Sequence, residues 1–125
     1  MTWALWCVLI AGLLPFVATG ITKWGRSDFD NHHPREWEAR LEGRRARAHA
    51  AQLNSFEAFP LFAASVLTAH WVAGAQIELD ILASIWIGLR LLYLYFYLSD
   101  KATLRSIVWI AALLVVMSIF VVGTR

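Results

Sequence analysis

The 125-residue chain is 59% hydrophobic and 16% charged, against roughly 45–50% and 25% in an average soluble domain. This length allows one domain, and a formal net charge of +2 gives no reason to expect a nucleic-acid partner. The single cysteine, Cys7, excludes an intrachain disulfide and a cysteine-based metal cluster. The composition therefore predicts an integral membrane protein, in which Cys7 is a small apolar packing residue.

Four apolar segments predict an all-α membrane bundle with helices at about residues 2–22, 48–73, 77–98 and 105–123. The first segment has no charge from Thr2 to Ile21, a length that crosses roughly 30 Å of hydrocarbon. Residues 23–47 form a polar loop, in which Pro34 favours the start of a short amphipathic helix. That helix should direct Trp37 and Leu41 towards the membrane or the bundle.

Two adjacent histidines, His32 and His33, lie in the same loop. They lack the i,i+4 spacing that aims two ligands at one metal ion on a helix. A solvated loop is therefore favoured over a metal site.

The second helix carries a basic run into an apolar segment. Arg47 and Asn54 are seven residues apart, which brings them onto nearly the same helix face, and Glu57 follows one turn later. A carboxylate at membrane depth is costly and normally marks a functional site. We therefore expect Glu57 to have a cationic partner.

Arg90 is the only mid-segment candidate for that partner. It lies ten residues beyond Asp80, about 15 Å along the third helix and so near the bilayer centre. Tyr93 and Tyr97 follow at spacings of three and four, on the same face. Packing in an aromatic belt and participation in a site are equally compatible with the position of Tyr97.

The distribution of lysine and arginine predicts the orientation. The first and third loops hold seven and two basic residues, the second loop holds none, and the tail holds one. The positive-inside rule then places residues 23–47 in the cytoplasm and both termini on the other side of the membrane.

The polar side chains predict one pocket that opens towards the basic end of the bundle. Arginines suit carboxylates, a glutamate suits an ammonium group, and an asparagine suits a peptide group. An arginine beside a thiol also favours the thiolate. The pocket would be lined by Arg47, Asn54, Glu57, Arg90, Tyr97 and Arg105.

These residues resemble the motifs of the MAPEG family, the membrane-associated proteins of eicosanoid and glutathione metabolism. The resemblance rests on Asn54-x-x-Glu57-x-x-Pro60-x-Phe62, on Arg90-x-x-Tyr93-x-x-x-Tyr97 and on Arg105-Ser106. It covers essentially the whole chain and is closest to the bacterial branch, which implies a bacterial inner-membrane protein and a homotrimer of four-helix protomers. It also implies that glutathione is bound between protomers as a co-substrate.

The resemblance implies roles for individual residues. Arg105 would activate the thiol, and Tyr93 stands where some members have a histidine. The residues that would hold glutathione are Arg47, Asn54, Glu57, Arg90, Tyr93 and Tyr97. Two features depart from the family pattern: Ala50 and Ala51 stand where many members carry an arginine, and the interval from Arg90 to Arg105 is one residue shorter than in prostaglandin-type members.

Three functions follow from this reading. The first is a glutathione-dependent transferase or peroxidase that acts on lipophilic electrophiles from the bilayer. The second is a non-catalytic lipid-binding or scaffold member of the same fold, which the alanines at 50 and 51 favour. The third is a small proton-coupled exporter built around Glu57, against which stand Arg90 and the 25-residue polar loop.

Overall fold

A computed structural model describes all 125 residues and contains five helices and no strand. The helices are α1 (Trp3–Lys23), α2 (Pro34–Ala39), α3 (Gly43–Ala73), α4 (Ile77–Leu98) and α5 (Ala102–Val122). All but α2 are long and apolar enough to cross a membrane. The prediction of an all-α bundle of four membrane helices is thereby confirmed.

Two helices begin earlier than the sequence predicts. α3 begins at Gly43 rather than at residue 48, so the basic run from Arg44 to Arg47 is helical. Alanine and arginine are strong helix formers, which explains this extension beyond the apolar segment. α5 begins at Ala102 rather than at 105, directly after a turn in which Asp100 adopts a φ of 58°.

Small side chains allow the helices to approach one another closely. Ala4, Cys7 and Ala11 of α1 are buried in the core, where they meet Phe62 and other residues of the remaining helices. Small residues have this role in membrane bundles because packing, rather than the hydrophobic effect, holds the helices together. The burial of Cys7 agrees with its predicted role as a packing residue.

The loop between α1 and α3 has its own packing. The ring of Trp37 lies edge-on to Phe29 of the same loop, with centroids 5.0 Å apart, and Trp37 is buried. Arg26 donates hydrogen bonds to both carboxylate oxygens of Asp28, and this pairing lowers the pKa of Asp28 to about 2. His32 and His33 are exposed in this loop.

Side chains from neighbouring helices bind the ends of α1. At its amino end, the Ala4 amide donates to Asp80 Oδ1 of α4 at 2.7 Å. At its carboxyl end, Arg45 Nη1 of α3 donates to the carbonyl of Thr22 at 2.8 Å. The first end holds an anion and the second a cation, as the helix dipole favours. We call the end of the bundle that carries Arg45 the basic end.

Candidate functional site

A hydrogen bond joins α3 and α4 within the bundle. Arg90 Nη2 donates to Asn54 Oδ1 at 2.7 Å, and Arg90 is only 3% exposed. Buried charges require hydrogen-bond partners, so this contact fixes both the guanidinium and the amide in place. Asn54 and Arg90 are thus neighbours, and their membership of one functional site stays a prediction.

The expected ion pair between Glu57 and Arg90 is not formed. The nearest polar partner of Glu57 is Asn54, whose Nδ2 lies 3.5 Å from Glu57 Oε2, and the residue is exposed on the surface of the protomer. Asn54 and Glu57 are three residues apart, about 300° around the helix axis. α3 is rotated so that Asn54, rather than Glu57, faces α4.

Aromatic rings surround the Arg90 guanidinium on its own helix. Its central carbon lies 4.3 Å from the ring centroid of Tyr93 and 5.8 Å from that of Trp86. Both distances are within the range of cation–π attraction. Trp86 in turn stacks on Phe62 of α3, with centroids 3.9 Å apart and planes 5° from parallel. The Arg90 guanidinium therefore lies against a packed group of aromatic rings.

Arg105 extends this series of rings towards the basic end. Its central carbon lies 4.3 Å from the ring centroid of Tyr97, and Tyr97 contacts Tyr93 edge-on at 5.6 Å. The three residues connect the start of α5 to the face of α4 that carries Arg90. Tyr97 packs between Arg105 and Tyr93 and lines neither of the two cavities described below, so its part in a site stays a prediction.

Arg47 lies apart from these residues. Its Nη2 donates to the carbonyl of Leu98 at 3.3 Å, at the carboxyl end of α4. A cation at this end interacts favourably with the helix dipole. In the isolated protomer Arg47 therefore joins α3 to α4 and does not line the cavities described next.

Two cavities adjoin the Arg90–Asn54 pair. The polar cavity, about 400 Å³, is lined by Asn54, Tyr93, Arg105, Ser106, Trp109 and Ile110. The apolar cavity, about 180 Å³, has Asn54, Glu57 and Arg90 at one side. Its other walls include Ala58, Leu61, Trp86, Trp109, Ala112 and Val116. Asn54 and Trp109 line both cavities, so the two spaces are neighbours that share these residues as walls.

Most of the predicted site residues lie at these cavities. Asn54, Glu57, Arg90, Tyr93 and Arg105 line one or both of them. The sequence analysis did not include Trp86, Trp109, Ala58 or Ala112 in the site. Trp86 does precede Arg90 by four residues, and this spacing on the same helix face was a usable signal. No comparable signal marks Ala58 and Ala112, because alanine is equally common where two helices touch.

Comparison with known proteins gives a single result. No curated protein and no solved structure matches the chain. The model of the MAPEG family matches residues 3–124, which is nearly the whole sequence. The chain therefore belongs to the MAPEG family of integral membrane proteins associated with eicosanoid and glutathione metabolism.

Proposed function

We propose that this protein is a glutathione-dependent transferase for lipophilic electrophiles, with its site at the two neighbouring cavities. The observation that carries the proposal is the set of polar groups there. Arg90 and Asn54 are hydrogen-bonded, Glu57 lies beside Asn54, and Arg105 lines the polar cavity. Charged side chains at membrane depth are costly, so a cluster of them around one space indicates a functional site rather than a packing role.

The chemistry of these side chains fits glutathione, which carries two carboxylates, an ammonium group and two peptide groups. Guanidinium groups bind carboxylates through charge-assisted hydrogen bonds. Glu57 would accept from the ammonium group, and the Asn54 amide would bind a peptide group. Glu57 and Arg90 line the apolar cavity and Arg105 lines the polar one, so glutathione would extend over both. The polar cavity alone, about 400 Å³, lies within the range of roughly 300–1,000 Å³ of small-molecule sites.

Arg105 is the residue that we assign to thiol activation. A cation beside a thiol favours the thiolate, which is the nucleophilic form. In the transfer reaction the sulfur forms a bond to the electrophilic carbon, and the leaving group departs with its bonding electron pair. The proton from the thiol passes to water. Peroxidase activity would instead use two glutathione molecules, giving an alcohol, water and the disulfide.

The proposal includes a homotrimer, as the family resemblance implies. Glu57 is exposed on the protomer surface, although an unpaired carboxylate in lipid is costly. A neighbouring protomer would cover it and complete the glutathione site. Arg47, outside the cavities of its own protomer, would reach glutathione only from such an interface.

The proposed orientation places the basic end in the cytoplasm of a bacterial cell, with both termini on the other side of the inner membrane. Glutathione would then enter from the cytoplasm and the electrophile from the bilayer.

Calorimetric titration with millimolar glutathione, together with a 1-chloro-2,4-dinitrobenzene assay, tests the proposal. We expect saturable binding and turnover, with turnover lost in Arg105→Ala. Arg44→Ala is the matched control, because Arg44 is exposed at the start of α3. The absence of binding at millimolar glutathione contradicts the proposal.

A second candidate is a non-catalytic lipid-binding or scaffold protein. Ala51, at one of the two positions where many family enzymes carry an arginine, is fully buried in the core, so this protomer has no space there for a charged side chain. Lipid that co-purifies with a protein inactive towards thiols would favour this candidate. The family match counts against the exporter hypothesis. The sequence analysis also argued against an exporter because Arg90 would neutralise Glu57, but these two residues form no ion pair in the protomer.

A further inference from the structure

The outer face of α4 carries an exposed tyrosine next to a lysine at the basic end of the bundle. Tyr95 is 56% exposed. It lies two residues, and therefore about 200° around the helix axis, from Tyr93, which lines the polar cavity. Lys101 follows the end of α4, and its Nζ lies 5.8 Å from the centroid of the Tyr95 ring, within the range of cation–π attraction. This pair therefore lies on the side of α4 that faces away from the candidate functional site.

The turn between α4 and α5 holds the backbone of Lys101 in place. The Lys101 amide donates to the carbonyl of Phe96 at 2.9 Å, and the Asp100 amide donates to the carbonyl of Tyr97 at 3.2 Å. Together with the φ of 58° at Asp100, these two bonds form a Schellman motif at the carboxyl end of α4. The Lys101 side chain therefore leaves from an ordered turn rather than from a loose loop.

Lys101 lies at the depth at which lipid headgroups begin. Both α4 and α5 are long and apolar enough to span a membrane, and only residues 99–101 separate them. This turn is therefore at the edge of the hydrocarbon. Tyrosine is enriched at this interface, because its ring is apolar and its hydroxyl group is polar. A lysine side chain there covers apolar surface with its methylene groups and keeps its ammonium group among the headgroups.

The ammonium group of Lys101 has no acidic partner in the protein. The ion pairs join Arg26 to Asp28 and His33 to Asp30, all within the loop between α1 and α3. Even Asp100, its neighbour in the sequence, forms no ion pair with Lys101. A cation at headgroup level that no side chain neutralises attracts anionic lipids.

Apolar side chains continue the same face of α4 towards the interior of the membrane. Leu91 and Leu92 precede Tyr95 by four and three residues, which is about one helical turn. Both are exposed. A lipid whose headgroup lies at Lys101 would therefore have apolar surface along which an acyl chain can pack.

We propose that Lys101 and Tyr95 form a binding site for an anionic phospholipid, with its phosphate at the Lys101 ammonium group and an acyl chain along Leu91 and Leu92. Lysine binds phosphate groups as a point charge. A lipid with a net negative charge is favoured over phosphatidylcholine, because the choline cation opposes the charge of Lys101. The site is separate from the proposed glutathione site, and the inference does not depend on the proposed function.

Native mass spectrometry of the full-length protein tests this site, with release from micelles that contain equal amounts of phosphatidylglycerol and phosphatidylcholine with the same acyl chains. One lysine near the membrane surface strengthens binding of anionic lipid about fivefold, so the first bound lipid should be phosphatidylglycerol by about that ratio. Lys101→Gln should lower the ratio at least threefold. Arg35→Gln, the same loss of charge at an exposed position of the loop, should leave it unchanged.

Two further variants separate binding from folding. Lys101→Arg keeps the positive charge and should retain the preference for phosphatidylglycerol. Tyr95→Leu keeps an apolar side chain but removes the ring beside the ammonium group, and it should lower the preference at least twofold. Equal binding of the two lipids by the unmodified protein would overturn the proposal, as would equal losses in Lys101→Gln and Arg35→Gln.

A photoactivatable phosphatidylglycerol locates the bound lipid. With a diazirine on the acyl carbons next to the glycerol, it should label residues 91–104 in the unmodified protein and not in Lys101→Gln. Millimolar inorganic phosphate should not reduce this labelling, because free phosphate has no acyl chain to pack on α4. Labelling confined to other helices, or its loss on addition of phosphate, contradicts a phospholipid site at Lys101.

Discussion

Arg90 donates a hydrogen bond to Asn54 at 2.7 Å, and this contact rather than an ion pair with Glu57 holds the buried guanidinium in the bundle. Removal of the acceptor would leave a charged donor buried without a partner. The cost of such a group is about 1–3 kcal/mol or more. We therefore predict that Asn54→Ala lowers the Tm of the purified protein by several degrees.

The control for this prediction is Ser55→Ala on the same helix. Ser55 donates only to the carbonyl of Ala51, one turn earlier in α3, so its loss leaves no buried group without a partner. Its Tm should stay close to that of the unmodified protein. An equal fall in both variants would mean that the contact to Arg90 contributes nothing specific.

Glu57 should behave in the opposite way. It makes no ion pair in the protomer, and its proposed partner is glutathione rather than another side chain, so without glutathione Glu57→Gln should change the Tm by no more than about a degree. A lost hydrogen bond to a charged group is worth about 1.5–3 kcal/mol, so glutathione affinity should fall by about tenfold or more. Calorimetry and thermal unfolding on the same preparation separate the two effects. A large fall in Tm without a change in affinity would assign Glu57 a structural role.

The sequence alone placed Asn54, Glu57 and Arg90 near one another, as the structure does, but it predicted neither how they pair nor that Arg47 lies apart from them. The spacing of Asn54 and Glu57, and the depth of Arg90, follow from helix geometry and the length of each apolar segment. The rotation of α3 against α4 does not, because it depends on side-chain packing such as the stack of Phe62 on Trp86. A different rotation about the same axis would have placed Glu57 opposite Arg90.

The apolar cavity was also beyond the reach of sequence reasoning. Ala112 lines this cavity although it belongs to the same core cluster as Ala4 and Ala69, and Ala58 packs against that cluster. Whether an alanine borders a cavity depends on the residue opposite, which only the arrangement of the helices determines. The sequence predicted the four helices well, because their periodicity and apolar length are properties of single segments.

Asp80 should stabilise α1 from a different helix. Its Oδ1 accepts from the Ala4 amide at 2.7 Å, whereas Thr2, at the position before the helix, makes no side-chain capping bond. Loss of a cap of this kind costs about 0.5–2 kcal/mol. Asp80→Ala should lower the Tm, and Asp80→Asn should retain most of it because the amide oxygen still accepts. Glu78→Ala, an exposed acid in the same turn, is the control, and a similar fall there would contradict this assignment.

Asp28 gives a pH-dependent prediction in the loop outside the membrane. Its hydrogen bonds from Arg26 lower the pKa of Asp28 from 3.8 to about 2. The pairing is therefore complete above pH of about 4 and is lost as the pH falls through about 2. Carbon-13 NMR of the aspartate carboxyl carbons should detect this midpoint directly. Arg26→Gln should raise the midpoint towards 3.8, whereas Arg35→Gln, at an exposed position of the same loop, should not move it. An Asp28 midpoint that is the same with and without Arg26 would mean that the pair does not form in solution.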